Sequence, residues 1–315
     1  MSQTPSDRRI WLDGSLVPWD QATVHVMSHS HQRGSLVFDF MAVHETARGA
    51  AVFRLDEHLA RFARSNALVG LPQERSSEEL RAAVLETVRA NPGAKAVKMC
   101  AYLPSVEVEV VPMDPRVSVS IAAYDPARDI IARNAGTAHV ARTLSIWIEK
   151  ERRNRRDDIM PPQAKVAANY ASPMVAKWRA RKNGYDEIVL VDEDGFLAEA
   201  PTCNVFLVDA DGALRTPPEQ RVLLGITRKS LLELARHDGR EVREEPIRPD
   251  ELFEAAEVFL TATTAGCWPV VKVDGKPVGD GQPGPVTLAL GQRLASVARG
   301  EEPAFANWVA YAEEA

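Results

Sequence analysis

Cysteine is scarce in this chain of 315 residues: only Cys100, Cys203 and Cys267 occur, far apart and without a Cys-x-x-Cys pair. That pattern supports neither a disulfide framework nor a zinc site, and it suits a reducing compartment. Long apolar runs are missing too. No stretch is long and apolar enough to span a bilayer, and the opening Met-Ser-Gln-Thr-Pro-Ser-Asp-Arg-Arg has no apolar signal core, so a cytoplasmic protein without a membrane partner is expected. Nor is there an excess of positive charge. The formal net charge is −6 with both signs interspersed, which leaves no basic footprint for a nucleic-acid backbone. Eighteen glycines and 21 prolines are too few and too scattered for a disordered chain. What is present is a 45% hydrophobic, 26% charged composition, that of a soluble globular protein whose length exceeds what one ordinary core serves.

Periodicity along the chain predicts an α/β architecture in two parts. Ile10-Trp11-Leu12-Asp13-Gly14-Ser15-Leu16-Val17 reads as two short strands around an Asp-Gly turn. Further strands are predicted over residues 36–43, 51–54, 96–103 and 117–124. Between them fall a helix from Asp56, with Leu59, Phe62 and Ala63 on one face, and a helix opened by a Ser76-x-x-Glu79 capping box. This first part, residues 1–127, reads as a small α+β domain. The periodicity then fades and turn residues accumulate, so residues 128–137 read as an interdomain connection. Residues 138–315 read as a larger domain with a C-terminal tail. Strands are predicted there over 139–146, 187–191, 197–199, 204–207, 257–260 and 269–273. Helices are predicted over 167–182, over 227–237 and after Pro285, with a charged loop over 150–158.

A few positions stand out chemically. His25, His29 and His31 invite a metal reading, but the segment resembles a strand and turn without a nearby carboxylate, so hydrogen-bonded histidines in a packed loop are expected and no metal. Gly225-Ile226-Thr227-Arg228 leads into an amphipathic helix and suits either a phosphate cradle or an ordinary N-cap by Thr227. Thr263 and Thr264, at the end of a predicted strand, offer two more hydroxyl donors. Lysine alone forms a Schiff base with an aldehyde cofactor, and Lys165 lies among small and apolar residues in Pro161-Pro-Gln-Ala-Lys165-Val-Ala-Ala-Asn169-Tyr170. Glu199, in Phe196-Leu-Ala-Glu199-Ala, is a carboxylate on an apolar strand that needs a cation to pair with.

Several segments together resemble the fold-type IV pyridoxal-phosphate enzymes: Val24-His-Val-Met-Ser-His29, Phe53-Arg54-x-x-Glu57-His58-Leu59-x-Arg61, Lys165-x-x-x-Asn169-Tyr170, Leu197-x-Glu199, Asn204-Val-Phe206, Leu224-Gly-Ile-Thr-Arg228 and Gly284-Pro285-Val-Thr287. The similarity is greatest to branched-chain aminotransferases. It implies a two-domain fold with a smaller N-terminal α+β domain and a larger domain around a β-barrel-like sheet. It also implies pyridoxal 5'-phosphate, a homodimer, and ping-pong transfer of an amino group from a branched-chain-like amino acid to a 2-keto acid through a pyridoxamine form. By the same resemblance Lys165 bonds the cofactor and shuttles the proton at the substrate Cα. Glu199 pairs with the pyridine nitrogen, Tyr170 bonds the phenolic oxygen, and Arg61, Ile226, Thr227 and Thr263, with Thr264 beside it, serve the phosphate.

The resemblance breaks at positions tied to substrate. Arg33 stands where a tyrosine is usual before the glycine that is here Gly34, and Phe38-Asp39-Phe40 replaces Phe-Glu-Gly. The Tyr-Ile-Arg-Pro run aligns with Val97-Lys98-Met99-Cys100, which puts Met99 in place of a carboxylate-binding arginine; a pocket that loses that cation either takes an amine without a carboxylate or recruits Arg33 or Lys98 instead. The glycine-rich loop that normally follows is replaced by Pro104-Ser-Val-Glu107-Val-Glu109-Val. Thr263-Thr264-Ala265-Gly266 resembles the (R)-selective amine transaminases, so such an enzyme, a D-amino-acid aminotransferase or an aminodeoxychorismate-type lyase are the alternatives. The arginine-rich run Arg152 to Arg156 reads as a solvated surface loop, with attraction of anionic keto acids as its other reading.

Overall fold

The computed structural model describes residues 7–132, 143–154 and 156–314. Its strands, in chain order, are β1 (Arg9–Leu12), β2 (Ser15–Pro18), β3 (Val37–Thr46), β4 (Gly49–Phe53), β5 (Ala96–Tyr102), β6 (Ser118–Tyr124), β7 (Leu144–Arg153), β8 (Glu187–Val191), β9 (Asn204–Val208), β10 (Leu214–Thr216), β11 (Val242–Glu244), β12 (Glu257–Ala262), β13 (Gly266–Val273), β14 (Lys276–Pro277) and β15 (Val309–Tyr311). The helices are α1 (His29–Arg33), α2 (Leu55–Leu68), α3 (Ser77–Arg89), α4 (Ala171–Lys182), α5 (Ile226–His237) and α6 (Pro285–Ala298). They divide into two units. One comprises Met1–His139, Ala164–Ala168 and Ser296–Ala315; the other comprises Val140–Gln163 and Asn169–Ala295.

The first unit is built on an antiparallel sheet in the order β15-β4-β3-β5-β6-β1-β2. Its β1–β2 turn places both Asp13 (φ 49°) and Gly14 (φ 108°) in left-handed space, as a tight hairpin whose twist matches its strands requires. Pairing of Phe38 with Cys100, Asp39 with Met99 and Phe40 with Lys98 fixes the pleat. Because side chains alternate faces along a strand, Asp39, Met41, Val97, Met99 and Ile121 share one face, and Phe38, Phe40, Lys98, Cys100 and Ser120 share the other. The first face is buried throughout, and each large apolar side chain on it contributes about 1.5–3 kcal/mol. Helix α2 packs on it. Helix α3 opens with the expected capping box: the Glu79 N–H donates to Ser76 Oγ at 3.1 Å, and the Ser76 N–H donates to Glu79 Oε2 at 2.8 Å.

The second unit holds the larger sheet, in the order β11-β10-β9-β12-β13-β7-β8, with β14 beside β13. The β7–β8, β7–β13 and β10–β11 pairs are parallel and the others antiparallel. The run from Leu197 to Glu199 bridges to Val191 on one side and to Asn204 at the start of β9 on the other, so the sheet curls back on itself in a half-barrel manner. Strands β8 and β9 are buried along their whole length. Val189, Val191, Val205 and Leu207 join Ile146, Leu197, Val258, Leu260 and Val270 in one core, while Ile188 and Leu190 pack on Ala176 and Ala180 of α4.

Four expectations need correction. The C-terminal segment belongs to the first unit: β15 pairs with β4, and Val309 and Tyr311 pack on Ala51. Residues 164–168 also belong to that unit, because Val166 bridges to Val37 of β3. The histidine segment contains helix α1, closed by Gly34 in the left-handed conformation (φ 70°). The helix expected from Ala167 begins as a 3-10 turn, Ala167–Tyr170, before α4. Of the expected interdomain connection, 128–132 continue a π-helical turn at Pro126–Ile131, and 133–137 lie outside the described residues, as does the start of the strand expected at 139.

Candidate active site

In the first unit the backbone of Lys165 is clamped on two sides. Its carbonyl accepts from the Phe38 N–H at 3.0 Å, and its N–H donates to Ser65 Oγ at 3.1 Å. Ser65 lies on α2 and is buried. The Ala167 N–H donates to the Leu36 carbonyl at 2.8 Å, so the segment runs along the edge of β3 as a short added strand. From this rail the Lys165 ammonium sits 5.0 Å from the Phe38 ring centroid, a cation–π distance.

On the opposite face of β3, Asp39 is fully buried and organises a network. Arg61 grips it with two bonds, Nε to Oδ2 at 2.9 Å and Nη2 to Oδ1 at 2.8 Å, and His58 Nδ1 lies 2.6 Å from Oδ1. The Phe40 N–H donates to Oδ1 at 2.8 Å. Burial alone would raise the Asp39 pKa; the Arg61 charge and the bonds from His58 and Arg61 more than offset it and hold the carboxyl well below the usual carboxylate range. His58 shifts the other way. Burial lowers its pKa despite the pull of Asp39, with Arg61 and Lys165 adding to the lowering, and its Nδ1 lies within hydrogen-bond reach of both Asp39 Oδ1 and Arg61 Nη2. Arg61 is thereby held in one orientation by a bidentate carboxylate.

The positions linked to substrate separate on the pleat. Phe38, Phe40 and Lys98 lie together, and the Lys98 ammonium is 5.1 Å from the same Phe38 ring. Met99 does not join them. Its side chain points to the Asp39 face and is fully buried, whereas its neighbours Lys98 and Cys100 take the Phe38 face, an alternation with Val97, Met99 and Ala101 that is visible in the sequence. Burial pushes the Cys100 thiol up to about 11. Arg33, at the end of α1, donates to the Val108 carbonyl at 2.7 Å. His29 is buried and bonded through Nδ1 to Ser35 Oγ at 2.8 Å and through Nε2 to the Val110 carbonyl at 2.9 Å; His25 and His31 are exposed.

The second unit carries the other part of the set. Glu199, only 3% exposed, accepts from the Leu223 N–H at 3.1 Å and from Asn204 Nδ2 at 3.4 Å. Asn204 Nδ2 also donates to the Leu223 carbonyl at 3.0 Å, which ties the carboxylate to the loop ahead of α5. That helix starts at Gly225 with no side-chain cap, so the N-cap reading of Thr227 gives way to a bare helix terminus whose N–H groups and dipole suit an anion. Only glycine fits at 225: a Cβ there would stand 2.0 Å from Asn204 Oδ1. Thr227 is buried beside it. Thr261, which the sequence reading passed over in favour of its neighbours, pairs with Asn204 across β9–β12 and has a buried hydroxyl without a hydrogen-bond partner. Thr263 and Thr264 form the turn between β12 and β13, the first half-buried and the second exposed. Tyr170 is half-buried at the start of α4.

In the arginine-rich run, Arg156 pairs with Asp158 at 2.6 Å and with Glu193 at 3.2 Å, both exposed. Arg152 donates to Ser172 Oγ at 3.4 Å. Arg155 lies outside the described residues. Among the described residues no group of histidine, cysteine or acidic side chains is placed to hold a metal, and no helix is long and apolar enough to cross a membrane.

The first unit carries a lysine on a fixed rail and a gripped arginine, and the second carries a bonded buried carboxylate and an uncapped helix start with a glycine pressed against it; taken by their chemistry, these groups suit pyridoxal phosphate, an aldehyde cofactor bearing a phosphate and a basic ring nitrogen. Comparison with known proteins agrees. Residues 36–273 match the amino-transferase class IV family, and the chain belongs to it as a pyridoxal 5'-phosphate-dependent transaminase. It is 34% identical over 304 residues to the branched-chain-amino-acid aminotransferase of Escherichia coli (strain K12), covering 95% of this chain and 96% of that one. Among solved structures, the T.th. branched-chain amino acid aminotransferase complexed with N-(5'-phosphopyridoxyl)-L-glutamate superposes with a TM-score of 0.89 at 32% identity, over 98% of this chain and 100% of that one. The same T.th. enzyme complexed with 4-methylvaleric acid gives 0.88 at 31%, with the same coverage.

Proposed function

We propose that the enzyme moves the amino group of a branched-chain amino acid to a 2-keto acid in two half-reactions, donor first and keto acid second. The observation that carries this reading is the near full-length similarity to branched-chain aminotransferases, joined to a Lys165 amine held over an aromatic ring on a half-exposed face. Lys165 and Arg61, with Glu199, Tyr170, Ile226, Thr227, Thr263 and Thr264, would hold pyridoxal phosphate. When bound, that cofactor supplies an electron sink for the charge left when the substrate Cα loses its proton. The Lys165 amine would take that proton from Cα and give it up at the cofactor's C4′, and its backbone clamps keep it within reach. Glu199, fixed by Leu223 and Asn204, would pair with a protonated ring nitrogen when the cofactor is bound. In the second unit the first turn of α5 would receive a phosphate, and in the first unit Asp39 keeps Arg61, the other candidate for it, from swinging.

The test is a donor panel: L-leucine, L-isoleucine, L-valine, their D-enantiomers and simple (R)-amines, each with 2-oxoglutarate, with products separated by chromatography. Keto acids formed from the L-branched-chain donors, with glutamate in equal amount, support the proposal. Turnover confined to (R)-amines or D-amino acids, or release of pyruvate without amine transfer, overturns it.

We also propose a homodimer in the cytoplasm. Its support is the loop from Val106 to Met113, which exposes Val106, Val108, Val110, Val111 and Met113 yet is anchored from beneath by His29 and Arg33, a pattern suited to cover by a second copy. Sedimentation equilibrium at twice the 34.6 kDa chain mass is expected; a monomer at micromolar concentration contradicts the dimer.

A further inference from the structure

A cavity of about 510 Å³ lies wholly within the second unit, and none of the residues set out above for the cofactor lines it. That volume is within the range of small-molecule pockets. Its floor is the buried ends of two strands, Ile148 of β7 and Val191 of β8, flanked by half-buried Pro249 and Phe253. A β-bulge shapes one rim. Glu149 pairs with Leu190 and Arg153 with the next residue, Val191, so Lys150, Glu151 and Arg152 loop out and the chain returns Arg153 to the edge of the cavity. At the other rim the turn at Asp274 and Gly275, both in left-handed space (φ 46° and 80°), brings in Lys276, whose ammonium stands 5.0 Å from the Phe253 ring centroid.

The carboxylates lining this cavity all have partners. Glu149 accepts from the N–H groups of Glu151 at 2.8 Å and Arg152 at 3.0 Å. Asp274 accepts from the Ile148 N–H at 2.9 Å and pairs with Lys150 at 3.4 Å, and Asp250 pairs with Arg248 at 3.5 Å. Arg153 and Lys276, in contrast, make no ion pair among the described residues. With Lys150, Arg153, Lys276 and Arg248 set against Glu149, Asp250 and Asp274, one positive charge is left over beside an apolar floor.

We propose that this cavity is a second binding site of the enzyme, for a small monocarboxylate with a flat apolar body. The body rests on Ile148 and Val191 between Pro249 and Phe253, and the carboxylate meets the Arg153 guanidinium, whose planar fork matches its two oxygens. A flat body has fewer rotamers to lose on binding than a flexible chain. Within the arginine-rich run this gives Arg153 a role that Arg156, paired with Asp158 and Glu193, does not share. The proposal uses none of the residues on which the transaminase reading rests.

The experiment titrates naphthalene-2-carboxylate, its neutral amide and acetate by calorimetry into cofactor-loaded enzyme and into its Arg153→Met, Lys276→Met and doubly substituted forms. Wild type is expected to bind the aryl acid at one site per chain that the substitutions weaken. Arg153→Met costs roughly tenfold, the effect of losing a hydrogen bond to a charged group, and Lys276→Met about threefold, that of a point charge at the surface. The amide and acetate bind at least roughly tenfold more weakly than the aryl acid, and amino transfer from L-leucine by the variants matches that of wild type. No binding of the aryl acid, binding that the doubly substituted form leaves unchanged, or an amide or acetate that binds as tightly as the aryl acid would overturn the proposal. A wild type without amino transfer would count against the transaminase reading alone, since the calorimetric comparison still reports on Arg153 and Lys276.

Discussion

The two faces of β3 do opposite work within three consecutive residues. Asp39 points into a closed face: a bidentate arginine, a buried histidine and a backbone N–H all converge on one carboxylate. Phe38 and Phe40 point to the other face, half-exposed, with Lys98 and Lys165 set over the Phe38 ring. The pleat of an ordinary strand thus places a rigid anchor and an adaptable surface back to back. Changes on the closed face are therefore expected to act on stability and, through the set of Arg61, on cofactor retention, and changes on the open face on selectivity.

The largest effect belongs to the closed face. Asp39→Asn leaves Arg61 buried without its carboxylate and is expected to cost about 3–5 kcal/mol, read from the shift in denaturant midpoint; a shift below about 1 kcal/mol would show that the network is not structural. Its pH signature has a definite sign. A carboxylate held below its ordinary value of 3.8 contributes stability that is present above that value and is lost only as pH falls through the lower folded-state value. The wild-type advantage over Asp39→Asn should therefore persist at pH 4 and fade only in stronger acid.

Phe40→Gly tests the open face. It should widen acceptance of bulkier donors, with kcat/KM for them rising roughly tenfold or more relative to valine; an unchanged donor ranking would remove Phe40 from selectivity. His58→Gln sharpens the closed face by a smaller amount. A histidine whose pKa is lowered from 6.5 contributes stability present above 6.5 and lost as pH falls from there toward the folded-state value, with a slope of at most about 1.4 kcal/mol per pH unit. The variant should have a flatter stability profile just below pH 6.5. Arg156→Ala, outside both faces, breaks exposed pairs only and should stay within about 0.5 kcal/mol of wild type.

The contrast also shows what a sequence makes legible. Local devices are readable because they are written in adjacent residues: the Asp13-Gly14 turn, the Ser76–Glu79 capping box and the glycine ahead of α5. Alternation along β5 is readable as well, but aligning Met99 with a family arginine overrides it, although Met99 shares its parity with Val97 and Ala101 rather than with Lys98. Helix α1 escapes because five residues carry too little periodicity, though Gly34 offers a stop signal. Pairing of β15 with β4 has no local trace at all. A three-residue strand gains its identity from a partner some 250 residues earlier, and only tertiary packing supplies that. The convergence of Asp39, His58 and Arg61 is hidden likewise, since one lies on a strand and two on a helix beyond the next strand.

The central claim, that Lys165 is the residue through which this chain performs amino transfer, is tested most directly by the visible spectrum of cofactor-loaded wild type and Lys165→Ala during titration with L-leucine and then a 2-keto acid. The expected result is a wild-type visible band that donor abolishes and keto acid restores, with Lys165→Ala lacking the band and slowed roughly a thousandfold or more. A wild type that forms no band, or a Lys165→Ala variant that cycles at the wild-type rate, would contradict the account.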